Sequence, residues 1–187
     1  MGLVASGLVE LIESAGTHPQ EGRKCYFKIK APISLSEGEK SVSIYPADEF
    51  RLTCTIAFDH PLIGTQTFDA VVDRAVFQKE ICAARTFGFL HEVELMKRYG
   101  LARGGSLDNA VVINGDKVLN EGGLRYPDEF VRHKVLDCIG DFSLIGMPIM
   151  GHVVAVKSGH TFNHAFLEKF FDHKASWETC TLVTGNT

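Results

Sequence analysis

Pro127-Asp128-Glu129-Phe130-Val131-Arg132-His133-Lys134-Val135-Leu136-Asp137-Cys138-Ile139-Gly140-Asp141-Phe142-Ser143-Leu144-Ile145 is the stretch on which the fold turns. Phe130, Val131, Val135, Leu136, Ile139, Phe142 and Leu144 recur at helical spacing, so the segment predicts a helix with one apolar stripe. Pro127 suits a first helical turn, Asp128 and Glu129 favour an N-terminus, and Ile145-Gly146 marks the stop. Downstream, 153–156 is a β-branched strand, 161–171 a final helix and 177–183 a last strand.

Upstream the pattern changes period. Leu8, Leu11 and Ile12 give a short opening helix over 7–15, and 17–24 reads as loop. Alternation then predicts strands at 25–30, 41–45, 51–58 and 66–72, with a turn at Glu37-Gly38-Glu39. Asp73 is a plausible cap for a helix to Ala84, and a second helix covers 90–99 before Gly100. Ala110 to Leu119, with Asn114-Gly115 at its centre, predicts a hairpin with a type I′ turn. The expected fold is α+β: a two-layer sandwich whose mostly antiparallel sheet carries helices on one face. All of 1–187 reads as a single domain, with a small α/β insertion at about 88–122.

The bulk numbers exclude some classes. The 187 residues carry a net charge of −4 with no Lys/Arg block, against a nucleic-acid partner, and no run suggests a transmembrane segment. No basic n-region opens the chain. Cys25, Cys54, Cys82, Cys138 and Cys180 are scattered without a CxxC, which fits buried thiols in a reducing compartment, the cytoplasm.

Three groups of residues could carry chemistry. His133 and Asp137, at i and i+4, face the same way, where an imidazole and a carboxylate can chelate one zinc ion; the same spacing also fits an ordinary surface pair. Asp141 lies one turn further on. Ser158-Gly159-His160 joins a strand to a helix, and a histidine there serves either as a general acid or base or as part of a capped turn. Arg85-Thr86-Phe87-Gly88-Phe89 offers a hydroxyl and an aromatic ring, and equally reads as core packing. His60, His91, His152, His164 and His173 read as structural or surface residues.

Taken together, these segments resemble the UDP-3-O-acyl-N-acetylglucosamine deacetylase (LpxC) family of lipid A biosynthesis. The matching stretches are Phe58-Asp59-His60-Pro61, Ala84 to Phe89, Gly104-Gly105-Ser106, Val118-Leu119-Asn120, Gly123 to Tyr126, Phe130 to Asp137, Ile139-Gly140-Asp141 and Lys157-Ser158-Gly159-His160, in the family's order from about residue 8 to 180.

The resemblance implies a zinc-dependent amide hydrolase in which His133 and Asp137 are metal ligands. His160 would stabilise the oxyanion and protonate the leaving amine, with Asp141 orienting it and Thr86 adding a hydroxyl. Phe87 would lie under the glucosamine, Lys134 against a phosphate and Phe58 against the uridine of a UDP-3-O-acyl-glucosamine substrate. Leu90, Val93, Ala102, Gly105, Ser106 and Val112 would wall an acyl passage. The family's third zinc ligand, a histidine, and its glutamate base belong to an N-terminal domain, and no Glu-His pair precedes Gly7. The chain is therefore expected to be the C-terminal half, inactive by itself, exposing an apolar face and completed by that N-terminal domain in cis or in trans. An isolated substrate- or inhibitor-binding module and one subunit of a split deacetylase are the alternatives.

Overall fold

A computed structural model describes residues 5–100, 104 and 106–181. Of the expected site residues, Ala102 and Gly105 lie outside these, as does the end of the last expected strand.

The chain opens with α1 (Ala5–Ala15), then β1 (Cys25–Ile29), β2 (Ile33–Glu37), β3 (Lys40–Tyr45), β4 (Phe50–Ala57) and β5 (Thr65–Val71). Next come α2 (Arg74–Val76), β6 (Thr86–Phe89), α3 (Leu90–Arg98), β7 (Ala110–Asn114) and β8 (Lys117–Val118). The sequence ends with α4 (Glu129–Ser143), β9 (Ile149–Val156), α5 (His160–Asp172) and β10 (Trp177–Thr181). The architecture is the expected α+β one, in two mostly antiparallel sheets.

β9 organises the larger sheet. It runs antiparallel to β3, with Ile44 opposite Val153, and parallel to β1 and β4, with Phe27 opposite Ile149 and Leu52 opposite Val153. Gly151 permits the crowding at this junction: a Cβ there would meet Ile29 Cγ1 at 2.5 Å and the Tyr45 carbonyl at 3.2 Å. Alternation puts Leu52, Cys54 and Ile56 of β4 and Val153 and Ala155 of β9 on the covered face. Against them pack Phe130, Val131, Val135, Cys138 and Phe142 of α4 and Phe166, Leu167 and Phe170 of α5. Each buried phenylalanine contributes about 1.5–3 kcal/mol by leaving water.

The smaller sheet is β6–β7–β8, with β6 and β7 parallel across α3 and β7–β8 a hairpin. Its turn differs from expectation. Asn114 pairs with Lys117, so the loop residues are Gly115 and Asp116, with Gly115 at φ 58°. Lys157 is the sole non-glycine with positive φ among the described residues, so Asp116 stays at negative φ. One left-handed residue at the first position is the type II′ pattern rather than type I′.

Other departures have local causes. β2 was not expected; it pairs with β3 through Glu37 opposite Lys40 across the predicted Gly38-Glu39 turn. Asp73 caps the helix at 74 by accepting from the Val76 amide at 2.7 Å, but the helix widens into a π-turn over 77–81 and ends before Ala84. Leu144 leaves the stripe and stands exposed at the end of α4. Cys54, Cys82 and Cys138 are buried as expected, but Cys25 is exposed and Cys180 only partly covered.

Candidate active site between two helices

α4 and the start of α5 deliver the reactive side chains to one place. His133 and Asp137 lie one turn apart on α4, with His133 Nε2 3.5 Å from Asp137 Oδ1 and both side chains largely covered. Lys134 Nζ donates to Asp137 Oδ2 at 3.0 Å. Burial pulls the His133 imidazole below its usual pKa against the opposing pull of the Asp137 carboxylate, which keeps the ring in its neutral, ligand-competent form.

β9 runs out at Lys157, whose backbone adopts φ 49° and whose amine reaches Glu39 at 2.9 Å. This bend starts α5 at His160 and turns its ring back towards α4. His160 Nδ1 lies 2.9 and 3.0 Å from the two oxygens of Asp141, and its Nε2 lies 3.9 Å from Asp137 Oδ2. Asp141 is buried and held from α5 twice more: Asn163 Nδ2 donates to it at 2.8 Å and His164 Nε2 stands 3.3 Å away. His133, Asp137, Asp141 and His160 thus share one site.

An aromatic group adjoins it. The Phe87 ring lies 6.2 Å from His133, 5.0 Å from Phe130 and 5.6 Å from Phe58, and Lys134 Nζ sits 6.0 Å over its face. Thr86 precedes Phe87 and lines a largely apolar cavity of about 470 Å³. Leu90, Val93, Ser106 and Val112 line this same cavity together with Leu107 and Leu119.

A buried ion pair supports the wall between site and cavity. Glu129, fully buried at the start of α4, accepts from the Arg85 amide at 2.9 Å, from Arg85 Nε at 2.9 Å and from the Arg125 amide at 2.6 Å. The pair is not legible in the sequence, where Glu129 reads as an ordinary charge at a helix start. His164, expected to be structural or surface, joins the Asp141 cluster; its i+4 spacing from His160 was the available signal. His60, expected to be structural or surface, is a structural cross-link. Its Nδ1 accepts the Leu62 amide at 3.3 Å, so Nε2–H donates to the Gly115 carbonyl at 2.9 Å.

The donor set suits a cation in part. Two bonds of about 2.0–2.2 Å at a tetrahedral angle span about 3.4 Å between ligand atoms, close to the separation of His133 Nε2 from Asp137 Oδ1. Among the described residues no group of three or more His, Cys, Asp or Glu side chains is placed to hold a metal. The buried Nδ1 of His133 has no hydrogen-bond partner among them.

The profile of the family described as LpxC: UDP-3-O-acyl N-acetylglycosamine deacetylase matches residues 4–172. The chain belongs to the LpxC family. It is 53% identical over 174 residues to the UDP-3-O-acyl-N-acetylglucosamine deacetylase of Syntrophotalea carbinolica, covering 93% of this chain and 56% of that protein. It is 48% identical over 174 residues to the enzyme of that name from Myxococcus xanthus, covering 93% of this chain and 55% of that protein. This LpxC-family chain therefore spans little more than half the length of these relatives.

Proposed function

We propose that the chain is the C-terminal portion of a zinc-dependent hydrolase that removes acetate from UDP-3-O-acyl-N-acetylglucosamine in lipid A biosynthesis. The observation that carries this reading is the convergence of His133, Asp137, His160 and Asp141 from α4 and α5 in a chain of this family.

In this reading His133 and Asp137 hold the zinc. When bound, the metal supplies Lewis acidity and a water of lowered pKa. The protein's own groups do the remainder. Asp141 takes the Nδ1–H of His160, which fixes the ring and leaves Nε2 to hold a proton for the leaving amine. Thr86 offers a hydroxyl to the tetrahedral oxygen. Phe87 stacks under the sugar, Lys134 meets a phosphate and Phe58 the uridine. The apolar cavity beside Thr86 takes the acyl chain.

Catalytic zinc normally has three protein ligands, so two donors hold it weakly. The third ligand and a glutamate base are supplied, in cis or in trans, by the portion of the family protein that this chain does not span, and the chain alone is inactive. Five free thiols support a reducing, cytoplasmic setting.

The test combines this chain with that remaining portion, then measures acetate release and zinc content. His133→Ala and Asp137→Ala should each abolish zinc retention and turnover. Full turnover by this chain alone would overturn the assignment of the missing ligand and base.

A further inference from the structure

α3, its C-terminal end and two residues near it in the fold carry five exposed large apolar residues: Leu95 at 53%, Met96 at 38% and Tyr99 at 76%, with Leu107 at 46% before β7 and Leu119 at 38% after β8. Leu95 and Tyr99 are one turn apart, so they share a face of the helix. Met96, Leu107 and Leu119 also line the cavity beside Thr86, which therefore opens to the outside through an apolar lip. Lys97, in the same lining, and Arg98 close the helix; both are exposed, and neither is paired with a carboxylate among the described residues. The acidic residues of α3, Glu92 and Glu94, lie in its first half, beside the separate recess under His60 and His91. An aromatic-aliphatic lip rimmed by free cations matches an anionic lipid surface, where tyrosine sits at headgroup depth and basic side chains meet phosphate.

We infer that the C-terminal half of α3 and the Leu107–Leu119 lip seat the protein on an anionic lipid surface, with the cavity mouth turned towards it. The inference rests on the reading of this cavity as an acyl passage, since a slot for a lipid tail gains from opening at a lipid surface. α1 supplies the contrast. Leu8, Leu11 and Ile12 are as exposed as the lip, but α1 carries Glu10 and Glu13 and no basic residue, and the neighbouring Arg74 is paired with Glu13, so α1 offers an anionic surface no cation of its own.

Flotation of the chain with phosphatidylglycerol vesicles, and with phosphatidylcholine vesicles as the neutral control, tests this. Binding should favour phosphatidylglycerol and weaken in high salt. The pair Leu95→Ser with Tyr99→Ser, and separately Lys97→Glu with Arg98→Glu, should each weaken it about tenfold or more. Circular dichroism should find these surface variants folded. Leu11→Ser with Ile12→Ser should leave binding unchanged. No binding of the parent chain to phosphatidylglycerol overturns the proposal, as does binding indifferent to the α3 variants or abolished by the α1 pair. Self-association that the α3 variants relieve, without vesicle binding, assigns the lip to a second copy and also overturns it. A chain that ignores vesicles yet holds zinc through His133 and Asp137 leaves the deacetylase reading standing.

Discussion

His160 Nδ1 stands within 3.0 Å of both carboxylate oxygens of Asp141, and the same carboxylate is gripped from α5 by Asn163 and His164. The ring is therefore positioned by a group that is itself immobilised, and its tautomer is set with Nε2 towards the Asp137 side. His160→Ala in the reconstituted enzyme is expected to lower kcat about 10²–10⁴-fold with zinc content unchanged. Asp141→Asn should lower it less, since the amide still fills the space but no longer stabilises a protonated ring. Single-turnover rates with parallel zinc analysis check both, and loss of zinc in His160→Ala would show that the residue is misassigned.

Glu129, fully buried, contributes to the acid sensitivity of the fold. Burial alone would raise its pKa, but the Arg85 side chain and the amides of Arg85 and Arg125 outweigh this and hold it below its ordinary value of 4.5. A carboxylate with a depressed folded pKa contributes stability that is complete above the ordinary value and is lost as pH falls through the folded one. Urea denaturation should therefore find Glu129→Ala less stable by about 3–5 kcal/mol at neutral pH, because Arg85 is left buried and uncompensated. The gap should narrow below pH 4.5; a gap independent of pH would contradict the pairing.

Gly151→Ala should destabilise by about 1–3 kcal/mol, since β1 or the Tyr45 backbone must shift to admit the methyl group. In a domain of this size that lowers Tm by about 2–12 °C. Differential scanning calorimetry reads it directly. An unchanged Tm would mean that the β1–β9 junction is looser than drawn.

His60→Ala removes the bond to the Gly115 carbonyl and the ring packed 5.1 Å from Phe89. Amides of β7 and β8 should then exchange about two- to tenfold faster, corresponding to one hydrogen bond of about 0.5–1.5 kcal/mol. Exchange on α5 should not change. Uniform acceleration everywhere would point to global destabilisation instead of a local cross-link.

Much of this was legible because it is periodic. β4 alternates apolar and polar residues without interruption, and α4 keeps its stripe for fifteen residues. β2 was hidden because Ile33-Ser34-Leu35-Ser36-Glu37 has serines where a strand signal needs branched residues, and pairing with β3 makes it a strand. The π-turn at 77–81 leaves no mark in composition. Within the site, the i, i+4 relation of His133 to Asp137 is local and readable. The meeting of Asp141 with His160 rests on chain closure across β9, and the Arg85–Glu129 pair joins residues 44 apart, so neither follows from spacing.

β9 pairs with three strands laid down far earlier in the chain, and it is also the segment that delivers His160. Ile149 must find Phe27, and Val153 must find both Ile44 and Leu52, before the histidine has a fixed place. Closing such long loops is entropically costly and slow. During synthesis the helix bearing Asp141 emerges first and its carboxylate stays unmatched until β9 threads home, so the contact of Asp141 with His160 is among the last this chain acquires.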